Sequence, residues 1–336
     1  MQGVGRTGSE GRRRLGVLGT MVWDTIRREG EHRTPTEEWG GIAYALAAAA
    51  AALPEEWEIV PIVKVGHDLA EEALRFMRGL PGLDCEPGVR VVPSPNNRVD
   101  LHYVDLVRRS ERLRGGVPPW HWTELAPVVR GCDALYVNFI SGFEMELDTA
   151  RALRAAFEGP TYADLHSLFL GIGREGLRVP QELPGAGQWL RCFDAVQMNE
   201  SEFTLLGRRL GDPWEMAARV VGPELKLITV TLGDRGAAYV AGPGFTPRPQ
   251  TWPEIRRRVA TKGQPRSGRV APVDVEERRD PTGCGDVWGA TFFARLLAGG
   301  SLEGALEAAN AMAARNVGHR GARGLFHHLT GRLAEP

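Results

Sequence analysis

Asp280-Pro281-Thr282-Gly283-Cys284-Gly285-Asp286 stands directly before an apolar run, Val287 to Leu297, that reads as a helix. Two glycines at alternating positions permit unusual backbone angles and close approach by a ligand. Successive backbone N–H groups at the positive end of a helix form a concave anion site. Asp286 falls in the first helical turn, where a carboxylate beside a bound phosphate can accept a proton from an attacking hydroxyl. A plainer account has Asp286 complementing the helix dipole and the glycines making a turn. That account does not explain why glycines bracket Cys284 immediately before a long helix, so the anion site is the better reading.

Outward from this element, strands and helices alternate. Ala134 to Val137, Thr161 to Ala163, Ala195 to Met198 and Leu227 to Thr231 read as strands; Leu147 to Phe157 and Leu302 to Asn316 read as helices. Such alternation predicts a doubly wound, mainly parallel sheet with helices on both faces. Ligands then sit beyond the carboxyl ends of the strands, and Asp24, Asn138, Asp164 and Asn199 fall at predicted strand ends. Toward the N-terminus, Leu15 to Met21 is a strand, and Gly40-Gly41 opens an alanine-rich helix through Leu53. Ile59 to Val65 is a further strand, followed by a helix from Leu69 to Arg78. Thr25 to Glu38 is charged and poorly periodic, as a hairpin or lid would be. Val89 to Val107 alternates and then slips phase at Val104, which predicts a half-exposed strand with a bulge. The expected organisation is a core of residues 14–24, 40–87 and 119–330, a small β-sheet lid of 25–39 and 88–118, and disorder over 1–13.

Composition removes several classes. The 336 residues are 43% hydrophobic with net charge -1, so no global field draws the chain to nucleic acid or a membrane. The longest apolar run, Ile42 to Leu53, is far short of a membrane span. Cys85, Cys132, Cys192 and Cys284 are scattered without a C-x-x-C pair, which argues against zinc and disulfides and fits a cytoplasmic location. Arg248 to Arg269 is basic, with Glu254 its one acid, and its prolines and glycines predict a solvated passive loop. Gly171-Ile172-Gly173-Arg174-Glu175-Gly176 satisfies the dinucleotide fingerprint, but no clean strand leads in and Pro180 forbids the required helix. No P-loop, nucleophile elbow or zinc-protease helix occurs.

Asp280 to Asp286 resembles the C-terminal motif of the ribokinase/PfkB carbohydrate kinases, D-T-x-G-A-G-D, departing at Pro281 and Cys284. Further matches follow in the family's order from about Leu15 to Leu325. The resemblance implies a ribokinase-like fold and an ATP-dependent phosphotransferase. Asp286 would be the catalytic base, with the N–H groups of Gly283, Cys284, Gly285 and Asp286 forming the anion hole. Asp24 and the pair Gly40-Gly41 would hold the substrate, and Asn199 with Glu202 would organise Mg²⁺ largely through water. Thr231, Gly233, Gly236 and Asn310 would line the nucleotide site. Gly318 to Ala322, with Asp280, resembles a loop that often encloses K⁺. Asn199 and Glu202 would serve equally as a helix cap.

The family's sugar kinases often carry Asn four residues after the second glycine, where this sequence has Ala45. The acceptor therefore differs from ribose or is held by other groups, for which Asn97, Arg98, Asp100, His102, Asn138 and Asp164 are candidates. The expected function is transfer of the ATP γ-phosphate to a hydroxyl of a sugar or sugar-like compound, with a homodimer through the lid allowed. Two alternatives remain open at this point. One is a nucleoside kinase, with Trp39, Tyr44 or Tyr103 clamping a base; the other is a catalytically silent sugar or nucleotide sensor.

Overall fold

A computed structural model describes residues 11–29, 34–103, 109–208, 211–257, 263–275 and 280–332. Among them, nine strands form one sheet. Its order across the molecule is Arg266–Val270, Ala237–Ala241, Leu227–Thr231, Ala195–Asn199, Thr161–Asp164, Ala134–Asn138, Arg13–Leu18, Trp57–Gly66 and Val89–Val92. Pairing is parallel from Leu227–Thr231 to Val89–Val92 and antiparallel at the two strands beyond.

Alternate residues of the inner strands enter opposite cores, as the period of two requires. In Ala134–Asn138, Ala134 and Tyr136 join one apolar cluster while Leu135 and Val137 join the other. Helices Ile42–Ala52, Cys284–Leu297, Leu302–Val317 and Leu325–Thr330 cover the first face; Trp122–Val129, Leu147–Ala156, Glu200–Gly207 and Pro213–Val220 cover the second. Ala43, Ala45, Ala47, Ala48, Ala49 and Ala52 of Ile42–Ala52 are buried, and their small side chains let this helix lie against Cys284–Leu297. The doubly wound α/β expectation is met.

A second sheet has the order Thr36–Gly41, Met21–Arg28, Arg98–Tyr103 and Arg109–Arg114. Val22, Ile26, Val99, Leu101, Tyr103 and Leu113 pack together on its inner face, where Asp24 pairs in register with Val99 and Glu38. A short ribbon, Leu170–Ile172 with Arg178–Pro180, extends it through a bridge between Arg112 and Leu177. The rejected glycine fingerprint lies in this ribbon.

Several expectations need correction. Val89 to Val107 is not one bulged strand: Val89–Val92 ends the large sheet, whereas Arg98–Tyr103 belongs to the small one. The switch is held by Asn96, which accepts from Gly66 N and donates to Met21 O and Asn97 O. Asp24 is not at a strand end but inside Met21–Arg28. The basic stretch is not a passive loop: Trp252–Arg256 is helical with Trp252 fully buried, and Arg266–Val270 adds an edge strand. Of the segment expected to be disordered, residues 1–10 lie outside those described, while Arg13 already belongs to a strand. No helix among the described residues is long and apolar enough to cross a membrane.

Candidate active site

Gly283 caps the helix Cys284–Leu297 from a left-handed conformation, φ 76°. A side chain there would suffer twice, from that backbone angle and from the Tyr44 ring, 2.3 Å from the position of a Cβ. Upstream, Asp280 Oδ1 accepts from the amide and the hydroxyl of Thr282, at 3.0 and 2.6 Å. Asn316 donates to Thr282 O, and the Tyr103 hydroxyl lies 2.7 Å from Thr282 Oγ1. The loop is thus fixed from its own chain, from the next helix and from the small sheet. Asp286 lies one turn in, its Oδ1 accepting from Asn138 Nδ2 at 2.7 Å. Burial pushes the Cys284 thiol up to about 11, and its sulfur accepts from Asn316 Nδ2, so it stays a protonated packing group.

On the far side of this loop is a cavity of about 730 Å³. Cys284 and Gly285 form its floor at the loop, and Thr231, Gly233, Gly236 and Asn310 all line it, as the sequence groups them. Val273, Trp288, Ala313 and Val317 give it an apolar remainder. Asn310 is committed within the protein, accepting from Trp288 Nε1 and donating to Ala271 O, so it shapes the wall.

Asn199, Asp164 and Asn138 each end a strand of the large sheet. Asn199 and Glu202 form a capping box, and Glu202 Oε1 also meets His166 Nδ1 at 2.5 Å. Both oxygens of Glu202 are therefore occupied within the protein. This suits a magnesium ion held through its own water better than direct ligation. Burial, reinforced by Glu202, pushes the Asp164 carboxyl up to about 8. Burial opposes a charged imidazole at His166, but the Glu202 carboxylate outweighs it and holds that pKa at about 9.

Asp24 is buried and projects over Gly40; a Cβ at Gly40 would lie 1.8 Å from Asp24 Oδ2. Burial, then Asp24, Asp280 and Asp286, push the Tyr44 phenol well above its ordinary value, so three carboxylates face one hydroxyl. Gly41 forms the N-terminus of Ile42–Ala52 beneath them.

Other candidates lie elsewhere. Arg98, Asp100 and His102 occupy the outer face of the small sheet, where Arg98 pairs with Asp68 and Asp100 with Arg114. Asn97 is buried on Ser141 and Val117, and Ala45 is sealed in the core. Trp39 is buried against Trp23, and Tyr44 and Tyr103 are buried too, so none offers an open face for a base. The sequence reading missed His166 and Gln197. Gln197 Nε2 donates to both Asp164 Oδ2 and Gly285 O at 3.0 Å, tying the sheet to the glycine loop. A polar residue inside an otherwise apolar strand was the available signal.

Residues 177–328 match the model of the pfkB family carbohydrate kinases. No curated protein matches the chain. Among solved structures, a pyrophosphate-dependent kinase in the ribokinase family, in a sulfate complex, superposes with TM-score 0.69 at 16% identity, over 91% of this chain and 96% of that one. A nucleoside kinase from Burkholderia thailandensis in complex with inosine gives TM-score 0.67 at 19% identity, covering 95% and 98%. Ribokinase from Thermotoga maritima gives 0.65 at 17%, covering 94% and 98%. The fold is that of ribokinase. Residues 177–328 are also where the chain is similar to the pfkB family carbohydrate kinases.

Proposed function

We propose that this chain is an ATP-dependent phosphotransferase that moves the γ-phosphate to a hydroxyl of a sugar or sugar-like molecule. The observation that carries the reading is the position of Asp286. It stands between a cavity large enough for a nucleotide and a buried acceptor side containing Asp24, and Asn138 holds its carboxylate. The backbone N–H groups of Gly283 to Asp286 stabilise charge on the transferring phosphoryl group. Asp286 takes the proton of the acceptor hydroxyl as it attacks, and Asp24 holds neighbouring hydroxyls. When bound, Mg²⁺ would supply charge neutralisation at the donor phosphates. Asn199 and Glu202 would hold its water shell. The small sheet closes the acceptor side, excluding the water that competes as phosphoryl acceptor.

The donor cavity supports ATP over a bare diphosphate. Its volume of about 730 Å³ and its walls of Val273, Trp288, Ala313 and Val317 suit a base and ribose, whereas a diphosphate needs neither. Asp280 N donates to Val317 O, which brings Asp280 beside the Gly318 to Ala322 loop and keeps K⁺ activation within the proposal. Cytoplasmic function and pairing of small sheets between subunits belong to the same reading.

The test is donor consumption with Mg²⁺, with and without K⁺, against sugars, polyols and nucleosides, with pyrophosphate as the rival donor. Acceptor-dependent ADP formation supports the proposal. Turnover with pyrophosphate and not ATP contradicts the donor assignment, and nucleotide binding without transfer to any acceptor favours a sensor.

A further inference from the structure

Arg178 begins the ribbon strand Arg178–Pro180 and is 7% exposed. A guanidinium carries five N–H donors, and burying one without acceptors is unfavourable. Among the described residues Arg178 makes one long hydrogen bond, from Nη2 to Ser167 O at 3.3 Å, and its buried Nε has no partner. Burial lowers its pKa, and among the described residues the fields of Glu111 and Glu144 support the charge. Glu144 is already engaged: Thr20 Oγ1 and the amides of Ser141 and Gly142 occupy its oxygens.

Its surroundings place this arginine on the acceptor side. Ser167 follows the strand that ends in Asp164, and Gly142 follows the strand that ends in Asn138, the partner of Asp286. A Cβ at Gly142 would lie 3.4 Å from Arg178 Nη2. Glu111, in register with Leu101 on the inner face of the small sheet, acts on both Arg178 and His166, and Asp164 feels both His166 and Asp286. Arg178 therefore sits between the strand-end loops and the underside of the small sheet.

We propose that Arg178 binds an anionic group of the acceptor, so that the substrate is a polyol or sugar bearing a carboxylate or a phosphate. The assignment rests on the kinase reading, and it predicts selection against neutral sugars. The guanidinium fork matches the planar carboxylate and the phosphate face alike. Asp286 and Asp24 repel an anion placed beside them, so Arg178 also fixes orientation: the charged end lies toward the ribbon and the hydroxyl toward Asp286.

The experiment is calorimetric binding of matched sets, a neutral hexose, its aldonic acid and its 6-phosphate, and a neutral and a phosphorylated cyclitol. Wild type, Arg178→Gln and Arg178→Lys are compared, with melting temperatures recorded. The wild type should bind an acid or a phosphate at least about tenfold more tightly than its neutral counterpart. Arg178→Gln should abolish that preference while its melting temperature stays level or rises, because a poorly paired buried charge has been removed. Preference for the acid or for the phosphate identifies which anion is bound. Should Arg178→Gln fail to fold, Arg178→Lys keeps the charge without the fork and should weaken anion binding severalfold. Equal binding of neutral and charged members, a preference that survives both substitutions, or no binding of any anionic member overturns the proposal. Anion binding that depends on Arg178 without phosphoryl transfer would instead contradict the kinase reading alone.

Discussion

The hydroxyl of Tyr103 lies 2.7 Å from that of Thr282, joining a strand of the small sheet to the glycine loop across 179 positions of sequence. Thr282 is bound in turn to Asp280, so the position of the small sheet and the shape of the glycine loop are mechanically linked. Removing the hydroxyl by Tyr103→Phe should leave the melting temperature near that of the wild type. One neutral hydrogen bond is worth roughly 0.5–1.5 kcal/mol, so kcat/KM should fall about twofold to tenfold. Initial-rate kinetics beside a thermal melt check this.

The two loop glycines should behave differently. Gly283→Ala forces a Cβ into the Tyr44 ring at an unfavourable φ and should destabilise the protein by about 1–3 kcal/mol. Gly285→Ala meets only Gln197 Nε2, at 3.9 Å, and should melt like the wild type. Its methyl nevertheless borders the donor cavity and should weaken nucleotide binding. Chemical denaturation and nucleotide titration of the two variants separate these effects.

Stability should decline as pH rises through neutrality. Asp164 and His166 both have folded pKa values above their unfolded ones, at about 8 and about 9. The stabilisation from such groups is complete below the unfolded pKa and lost as pH climbs through the folded one. For His166 that window runs from about 6.5 to about 9, and for Asp164 it opens near 4 and closes near 8. The His166 side chain is 34% exposed, so solvent screens the pair. Melting temperatures between pH 6.5 and 9 should fall, and His166→Asn should flatten the slope.

Much of this arrangement was legible because the signals are local. Gly283 and Gly285 beside Asp286, and Asn199 three residues before Glu202, are short-range patterns with a physical reason for their spacing. What escaped the sequence depends on distant partners. The strand near Val89 and the strand near Val99 read as one because nothing in their residues says that they enter different sheets. Arg256 looked like part of a solvated basic loop because its acceptor, Asp194, lies 62 positions away. His166 and Arg178 carry no motif, and only the folded loops bring them beside Glu202 and Ser167.

Asp194 offers a control at the opposite end of the sheet from Asp286. It is fully buried among Arg154, Lys226 and Arg256. Burial opposes its charge, but these three cations outweigh it and hold its pKa below the carboxylate range. Asp194→Ala strands three positive groups and should cost about 3–5 kcal/mol, or prevent folding outright. Arg256→Ala leaves Asp194 two cations and should cost less, with kcat near the wild-type value below its melting transition. Denaturant titration and kinetics on Arg256→Ala test this separation of stability from activity.

The central claim, that Asp286 acts as the base of phosphoryl transfer, is tested most directly by Asp286→Asn, measuring acceptor-dependent ADP formation alongside the nucleotide Kd. Substitution keeps the shape and the neighbouring Asn138 while removing the proton acceptor. The account predicts a fall in kcat of about 10²–10⁴ with nucleotide affinity within about threefold of wild type. Turnover that survives the substitution would contradict it.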